Sequence, residues 1–310
     1  MAFPEVIIAT HVYNEQIRLP RLLDSLIVQD YPNLTVFISE NHSKDNTPEI
    51  LKSYSGKLSM KIVKPHKYLN QIENFFFMVS ELLKYASVDA KIFYVGADDY
   101  FVQSNSIRQL IDKQIITGHE IILPRINLSS PGGSLRASKS YYSSNTSFFR
   151  LIQLFSDRTS LGVQVHHSLM SLGAFSYWTR QFSQWRSGIN LDRDSFAEYM
   201  ALWDLVSKYS MSYCKDSTFV KEINNRKDSS NRFRDEIIPK QKIDLPRIIR
   251  THHSKNISTF RMIKRRARIT EGNLYFFLLL AAFSYFRNWI SDFKLFFQLL
   301  RLKLRARKNS

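Results

Sequence analysis

The sequence predicts an α/β fold in which a mostly parallel sheet is covered by helices. Two observations carry this reading. Over the first 125 residues, short apolar runs alternate with stretches whose leucines and isoleucines recur at helical spacing. Polar and acidic residues collect just past the last apolar residue of several runs, where ligands bind in an open α/β sheet.

The elements follow in order. EVIIAT (5–10) reads as the first strand, and Leu19, Leu22, Leu23, Leu26 and Ile27 then share one helical face. LTVFISE (34–40) is the second strand. In DNTPEIL, Thr47 is placed as the N-cap of the next helix and Pro48 as its first residue. KLSMKIV (57–63) gives a third strand, followed by a helix around 72–85. Residues 91–95 form a fourth, and Gly96 and Ala97 then turn the chain tightly before Asp98 and Asp99. A helix near 106–116 and a fifth strand, HEIILPR (119–125), complete the alternation, and no internal repeat is visible. The polar, Gly/Ser-rich stretch 127–147 is expected to be a long loop, and 148–220 returns to mixed helical patterns with a helix at 195–208. The expected organisation is one domain over 1–223, in two halves (about 1–125 and about 126–223). A hinge and a basic, aromatic-rich helical extension follow over 224–310.

At 310 residues the chain is long enough to bury a substantial core, and 14% aromatic residues argue against wholesale disorder. The single cysteine, Cys214, excludes an intrachain disulfide and fits a reducing compartment. Glu5 interrupts the opening MAFPEVIIATHV where a signal peptide needs an apolar core, so a first strand and a cytoplasmic location are expected. Of the net charge of +17, residues 240–310 supply +14 through 17 Lys and Arg against Asp244, Glu271 and Asp292. That segment therefore calls for an anionic partner, lipid headgroups or nucleic acid.

Two adjacent aspartates at a sheet edge repel each other unless a cation lies between them. The alternative is a solvated turn in which Asp98 caps the next helix. Four pieces in register bear on the choice: ATHVYNE after the first strand, ISENHSKDNTPEIL after the second, NQIENFFFMVSELLKYA before the fourth, and FYVGADDYF after it. Together they resemble the family 2 nucleotide-sugar glycosyltransferases, whose fold is called GT-A, over roughly the first 125 residues.

The resemblance implies transfer of a sugar from a nucleoside diphosphate-sugar donor to a glycan or lipid-linked acceptor, inverting and metal-assisted, in cell-surface polysaccharide synthesis. A divalent cation, Mn²⁺ or Mg²⁺, stabilises a departing diphosphate and needs only one or two protein carboxylates. By resemblance Asp99 is the more direct metal ligand, while Asp98 shares the site and orients ribose or phosphate. Gly96 stands where many relatives carry a further acid. Glu40 is placed to accept hydrogen bonds from the base, and Thr10, Glu15 and Asn74 join the same sugar-nucleotide pocket; an ordinary strand-end role for Glu40 stays open. Asp45 is expected to organise its loop.

An inverting transfer also needs a base for the acceptor hydroxyl. RDSFAEYMALWDLVSKY (193–209) resembles the family helix that begins with a Glu-Asp pair, but Tyr199 replaces the aspartate. Glu198 is the first candidate, with Asp194 and Asp192 behind it; Ser195 and Glu198 also fit a capping box. Trp178 and Trp185 are candidates for stacking on sugar or for core packing.

NLYFFLLLAAFSYF (273–286) falls short of the roughly 20 residues needed to cross a bilayer. Basic clusters at 261–269 and 301–308 flank it, as expected of a helix lying in an anionic membrane surface or packed on the domain. A protein peripheral to the inner face of the membrane, binding no nucleic acid, is the resulting expectation. A nucleotidyltransferase of similar fold and a nucleic-acid-binding protein using the basic extension are the rivals. The second leaves the acidic strand ends without a use.

Overall fold

The computed structural model describes residues 3–129, 135–137, 165–188, 198, 201–202, 204–205 and 208–222, all within one compact unit. The element order is β1 (Val6–Val12), α1 (Leu19–Ile27), β2 (Leu34–Glu40), α2 (Thr47–Tyr54), β3 (Met60–Val63), α3 (Gln71–Tyr85), β4 (Lys91–Tyr94) and β5 (Tyr100–Phe101). There follow α4 (Ser106–Thr117), β6 (Ile121–Ser129), β7 (Leu135–Ala137), β8 (Leu169–Ser171), α5 (Leu172–Gly188) and β9 (Met211–Glu222). Among the described residues no helix is long and apolar enough to cross a membrane. The extension 224–310 lies outside the described residues.

The strands form one sheet in the order β3-β2-β1-β4-β8-β6-β9-β5, with β7 paired to β6. β3, β2, β1 and β4 run parallel, so their carboxyl ends open on one edge. β8 is antiparallel to both β4 and β6, and β9 returns parallel to β6. The expected α/β architecture is therefore present.

Strand alternation divides the core in two. Val6, Ile8 and Val12 of β1, with Val36, Ile38 and Phe93, pack against Leu19, Leu22, Leu23 and Leu26 of α1. Each fully buried leucine contributes about 1.5–3 kcal/mol. The other face carries the aromatic rings: Phe37 meets Tyr85 of α3, and Tyr94 meets Phe75 of α3 at 5.3 Å and Trp178 of α5 at 6.3 Å. An Asn70–Glu73 capping box starts α3, and Gly118, at φ 64°, ends α4 in the left-handed conformation that glycine adopts without strain.

Three local expectations are corrected. Thr47 is the first residue of α2 and not its cap; its hydroxyl instead accepts the Glu15 N–H at 2.8 Å, and Asp45 accepts the Thr47 N–H at 3.0 Å. The polar run after residue 127 begins as strand, because β6 pairs residue by residue with β9 from Arg125↔Thr218 to Ser129↔Glu222, and β7 adds to its other edge. Hydrogen bonding along the ladder overrides the loop-like composition. β9 itself escapes the helical reading of 148–220. Its register jumps from Pro124↔Cys214 to Arg125↔Thr218, so Lys215, Asp216 and Ser217 bulge out and break the apolar alternation.

Candidate active site

Three loops at the carboxyl edge of the parallel strands are laced together by side-chain to backbone hydrogen bonds. From the loop after β1, the N–H groups of Asn14, Glu15 and Gln16 donate to Ser43, Thr47 and Asp45 at 3.1, 2.8 and 3.1 Å. In return Asn14 and Gln16 side chains accept the N–H groups of Lys44 and Asn46. Asn41 reaches the loop before α3, donating to Leu69 O at 2.7 Å and accepting its N–H at 2.9 Å. Asn14 and His42 take positive φ, 55° and 58°, to make these turns. Asparagine tolerates that region, whereas His42 is held there by its 2.8 Å bond to Pro65 O.

Glu40 ends β2 within this floor and is buried. One oxygen accepts the Ser43 N–H at 2.5 Å and the other pairs with Lys64 at 2.9 Å. Burial pushes its carboxyl upward, but the Ser43 amide and the Lys64 ammonium outweigh burial and hold its pKa below the usual value. Glu40 therefore stays ionised, and the Ser43 side chain adds a further hydrogen bond to it.

Past β4 the chain turns tightly, the Asp99 N–H bonding to Gly96 O at 3.2 Å. The turn folds both carboxylates back over Gly96. A Cβ placed there would lie 2.6 Å from Asp98 Oδ1 and 3.0 Å from Asp99 Oδ2. The two oxygens thus converge over the one residue with no side chain, and glycine at 96 is a steric requirement of the pair. Asp98 is partly exposed and Asp99 is fully buried. The end of β9 closes over Asp99: the Glu222 N–H donates to Oδ1 at 3.1 Å and Lys221 Nζ lies 3.4 Å from Oδ2. Arg21 joins the same edge, pairing with Glu222, donating to Asp98 O at 3.1 Å and stacking over Tyr100 at 4.5 Å. Burial raises the Asp99 pKa to about 6; Lys221 and the Glu222 amide oppose the shift, and Asp98 adds to it. A buried carboxyl beside a second carboxylate is an environment that an added cation would stabilise.

Behind this edge lies a cluster of rings and histidines. Tyr94 packs on His166 at 4.8 Å, and His166 lies against His167 at 4.8 Å and Trp178 at 5.4 Å. His166 Nδ1 contacts Glu198 Oε1, both side chains being about one-quarter exposed. The Tyr94 hydroxyl shares a 3.2 Å hydrogen bond with His11 Nδ1. Burial, then the charges of Glu198, Asp99 and Asp98, drive the Tyr94 pKa well above its usual value, so Tyr94 keeps its proton. Burial, reinforced by His166, lowers the His11 pKa to about 4. Burial and Lys221 hold His167 far below the usual imidazole value. His167 is therefore neutral, and its 3.7 Å approach to Asp99 is a polar contact and not an ion pair.

The structure brings Asp98, Asp99 and Glu198 around Tyr94, with Glu40 and Glu15 at the ends of the neighbouring strand loops. Glu15 pairs with Arg18 at 3.2 Å, and its carbonyl accepts the first N–H groups of α1. Thr10 and Asn74 stand behind the expected pocket. Thr10 is fully buried with its hydroxyl unpartnered, and Asn74 is buried while accepting the Ser39 hydroxyl at 2.6 Å, which fastens α3 to β2. Trp178 is fully buried core, and Trp185 donates to Asp204 at 2.7 Å. Asp192, Asp194, Ser195 and Tyr199 lie outside the described residues. Asp98 caps no helix, since β5 intervenes before α4.

Reading the sequence passed over His166, His167, Lys221, Glu222 and Arg21. The signal was present in VHHSLM and STFVKE, where polar residues border apolar runs as they do at β1, β2 and β4.

Comparison with known proteins agrees with this fold. The family model described as glycosyl transferase family 2 matches residues 6–176. No curated protein is recognisably similar in sequence. Among solved structures, S. aureus TarS 1-349 in complex with UDP superposes with a TM-score of 0.55 at 13% identity, covering 90% of this chain and 70% of that one. TarS 1-349 alone gives 0.53 at 15% identity, over 70% of this chain and 60% of that chain. The mannosyltransferase PcManGT from Pyrobaculum calidifontis, in complex with GDP-Man and Mn²⁺, gives 0.50 at 13% identity, over 92% and 74%. The chain spans 60% of TarS 1-349 and 37% of the longer TarS chain, less than two thirds of either. At such identities the structures share the fold, and it is the family match over more than half the chain that assigns it: the chain belongs to glycosyl transferase family 2.

Proposed function

We propose that the protein transfers a sugar from a nucleoside diphosphate-sugar to a glycan or lipid-linked acceptor with inversion, in cell-surface polysaccharide synthesis. The observation that carries the proposal is the convergence of Asp98 Oδ1 and Asp99 Oδ2 over Gly96, on the same sheet edge as the ionised Glu40. These two oxygens fit a hard divalent cation, Mn²⁺ or Mg²⁺, whose remaining ligands would be diphosphate oxygens and water. Among the described residues there is no group of three or more His, Cys, Asp or Glu placed to hold a metal. Bound there, the cation would supply positive charge for the departing diphosphate.

The chain's own groups account for the remaining steps. Glu40, ionised, accepts N–H groups of the base, and the laced loops hold that contact in place. Glu198 takes the proton of the acceptor hydroxyl as that oxygen attacks the anomeric carbon. The bond from that carbon to the diphosphate breaks, and the leaving group keeps the electron pair. His166, in contact with Glu198 and packed between Tyr94 and Trp178, fixes the direction of the carboxylate. The basic segment 240–310 places the protein at the anionic inner face of a membrane, where lipid-linked acceptors reside.

The test is a panel of nucleoside diphosphate sugars incubated with and without Mn²⁺, with release of free nucleoside diphosphate as the readout. At least one donor is expected to be turned over in a metal-dependent way. Pyrophosphate chemistry on a nucleoside triphosphate, with no release from any sugar nucleotide, would overturn the proposal.

A further inference from the structure

We propose that Lys221 is the resident counterion of the Asp98–Asp99 pair and that it moves to the donor's diphosphate when a divalent cation takes its place. The inference rests on the nucleotide-sugar reading above and adds a residue to it. β5 and β9 pair antiparallel, Tyr100 opposite Val220 and Phe101 opposite Phe219. Continuing that register sets Asp99 against Lys221 and Asp98 against Glu222. The two oxygens of Asp99 are thereby given different duties. Oδ1 is taken by the Glu222 N–H at 3.1 Å, a backbone contact that the register holds fixed. Oδ2 is the oxygen that converges with Asp98 over Gly96, and it is also the oxygen 3.4 Å from Lys221 Nζ. An ammonium and a divalent cation at that one oxygen repel each other, so each weakens the hold of the other.

Asp99 is fully buried, so an uncompensated charge there would be costly, and Lys221 supplies the compensation in the absence of metal. Lys221 is suited to leaving. Its side chain is 30% exposed, and lysine carries its charge on a long flexible stem. Glu222 is held by Arg21, which also grips the Asp98 carbonyl, so the strand end stays anchored while the lysine head group moves. A cation that displaces Lys221 arrives together with phosphate oxygens, which are the anions nearest to receive it. No bond forms or breaks in this exchange, and no proton moves.

The experiment measures Mn²⁺ binding by electron paramagnetic resonance in wild type, Lys221→Met and Lys221→Arg, first with Mn²⁺ alone. UDP and GDP are then titrated at saturating Mn²⁺. Lys221→Met is expected to bind Mn²⁺ alone about tenfold tighter than wild type, and the nucleoside diphosphate about tenfold more weakly. Lys221→Arg, which keeps the charge, is expected to stay near wild type in both. Thermal unfolding guards against misfolding: Mn²⁺ should raise the melting temperature of Lys221→Met more than that of wild type. A purely structural lysine would weaken both ligands together, and that outcome, or unchanged Mn²⁺ affinity, overturns the proposal. Wild type that binds Mn²⁺ and a nucleoside diphosphate while Lys221→Met behaves identically sinks this inference alone. Wild type that binds neither ligand removes the glycosyl-transfer reading as well.

Discussion

Gly96 is where side-chain geometry constrains the backbone most tightly. A methyl group there would meet Asp98 Oδ1 at 2.6 Å, and the partly exposed Asp98 side chain can swing aside. Asp99 cannot, because it is buried and held by Lys221 and the Glu222 amide. Gly96→Ala is therefore expected to keep the fold but to weaken Mn²⁺ affinity about 10–100-fold, the range for disturbed support of a metal ligand. Calorimetric titration with Mn²⁺ checks this, and unchanged affinity would count against the two-carboxylate site. Asp99→Asn removes the charge on the ligand itself, and sugar-nucleotide turnover should be lost while the circular dichroism spectrum is retained. At the proton-transfer end, Glu198→Gln keeps the shape and the His166 contact but cannot accept a proton. A fall in kcat of about 10²–10⁴-fold with little change in donor KM is expected. A variant with most of its kcat intact would move the base elsewhere.

At the scale of elements, the parallel half of the sheet and its helices were legible because each is written locally. Leu34–Glu40 is built on the apolar run Val36, Phe37 and Ile38, and the leucines of α1 share one face. Beyond β4, only β6 was legible as a strand. β9 depends on a ladder with β6, more than 80 residues away, and its bulge at Lys215, Asp216 and Ser217 hides the alternation. The site divides the same way. Asp98, Asp99 and Glu40 follow short strands that end in plain sight, whereas Lys221 and His166 reach them only through tertiary pairing.

The contact between α5 and the helical residues 204–205 offers a test at this scale. Asp204 is buried, and burial raises its pKa to about 6 despite the Trp185 N–H bond that opposes the shift. Between about pH 4 and pH 6 the folded chain holds this proton and the unfolded chain has lost it, so the contribution to stability falls as pH rises. It is fully present below pH 4 and absent above pH 6. The size is on the order of 2–3 kcal/mol. Asp204→Asn carries no such titration, so urea unfolding should show the variant gaining on wild type across that window by roughly this amount. A difference that stays flat with pH would mean that Asp204 is not buried as described.

At the scale of the whole molecule the charge is lopsided, and the proposed membrane location rests on this. Residues 240–310 carry +14, leaving only +3 for the rest of the chain. Lysines and arginines near an anionic surface contribute about 1 kcal/mol each, and the attraction decays within a Debye length of about 8 Å at physiological ionic strength. The clusters at 261–269 and 301–308, with the aromatic run between them, therefore predict binding with two components. The electrostatic part should weaken as salt rises, and the apolar part should persist. Co-sedimentation of the full chain is expected with vesicles containing phosphatidylserine and not with pure phosphatidylcholine. Raising NaCl from 0.1 to 0.5 M should reduce it without abolishing it, and a chain lacking 240–310 should remain in the supernatant. Undiminished sedimentation of the shortened chain would place the membrane-binding surface on the catalytic unit. Equal binding to both lipids would remove the electrostatic component, and with it the explanation of why this chain carries its charge so unevenly.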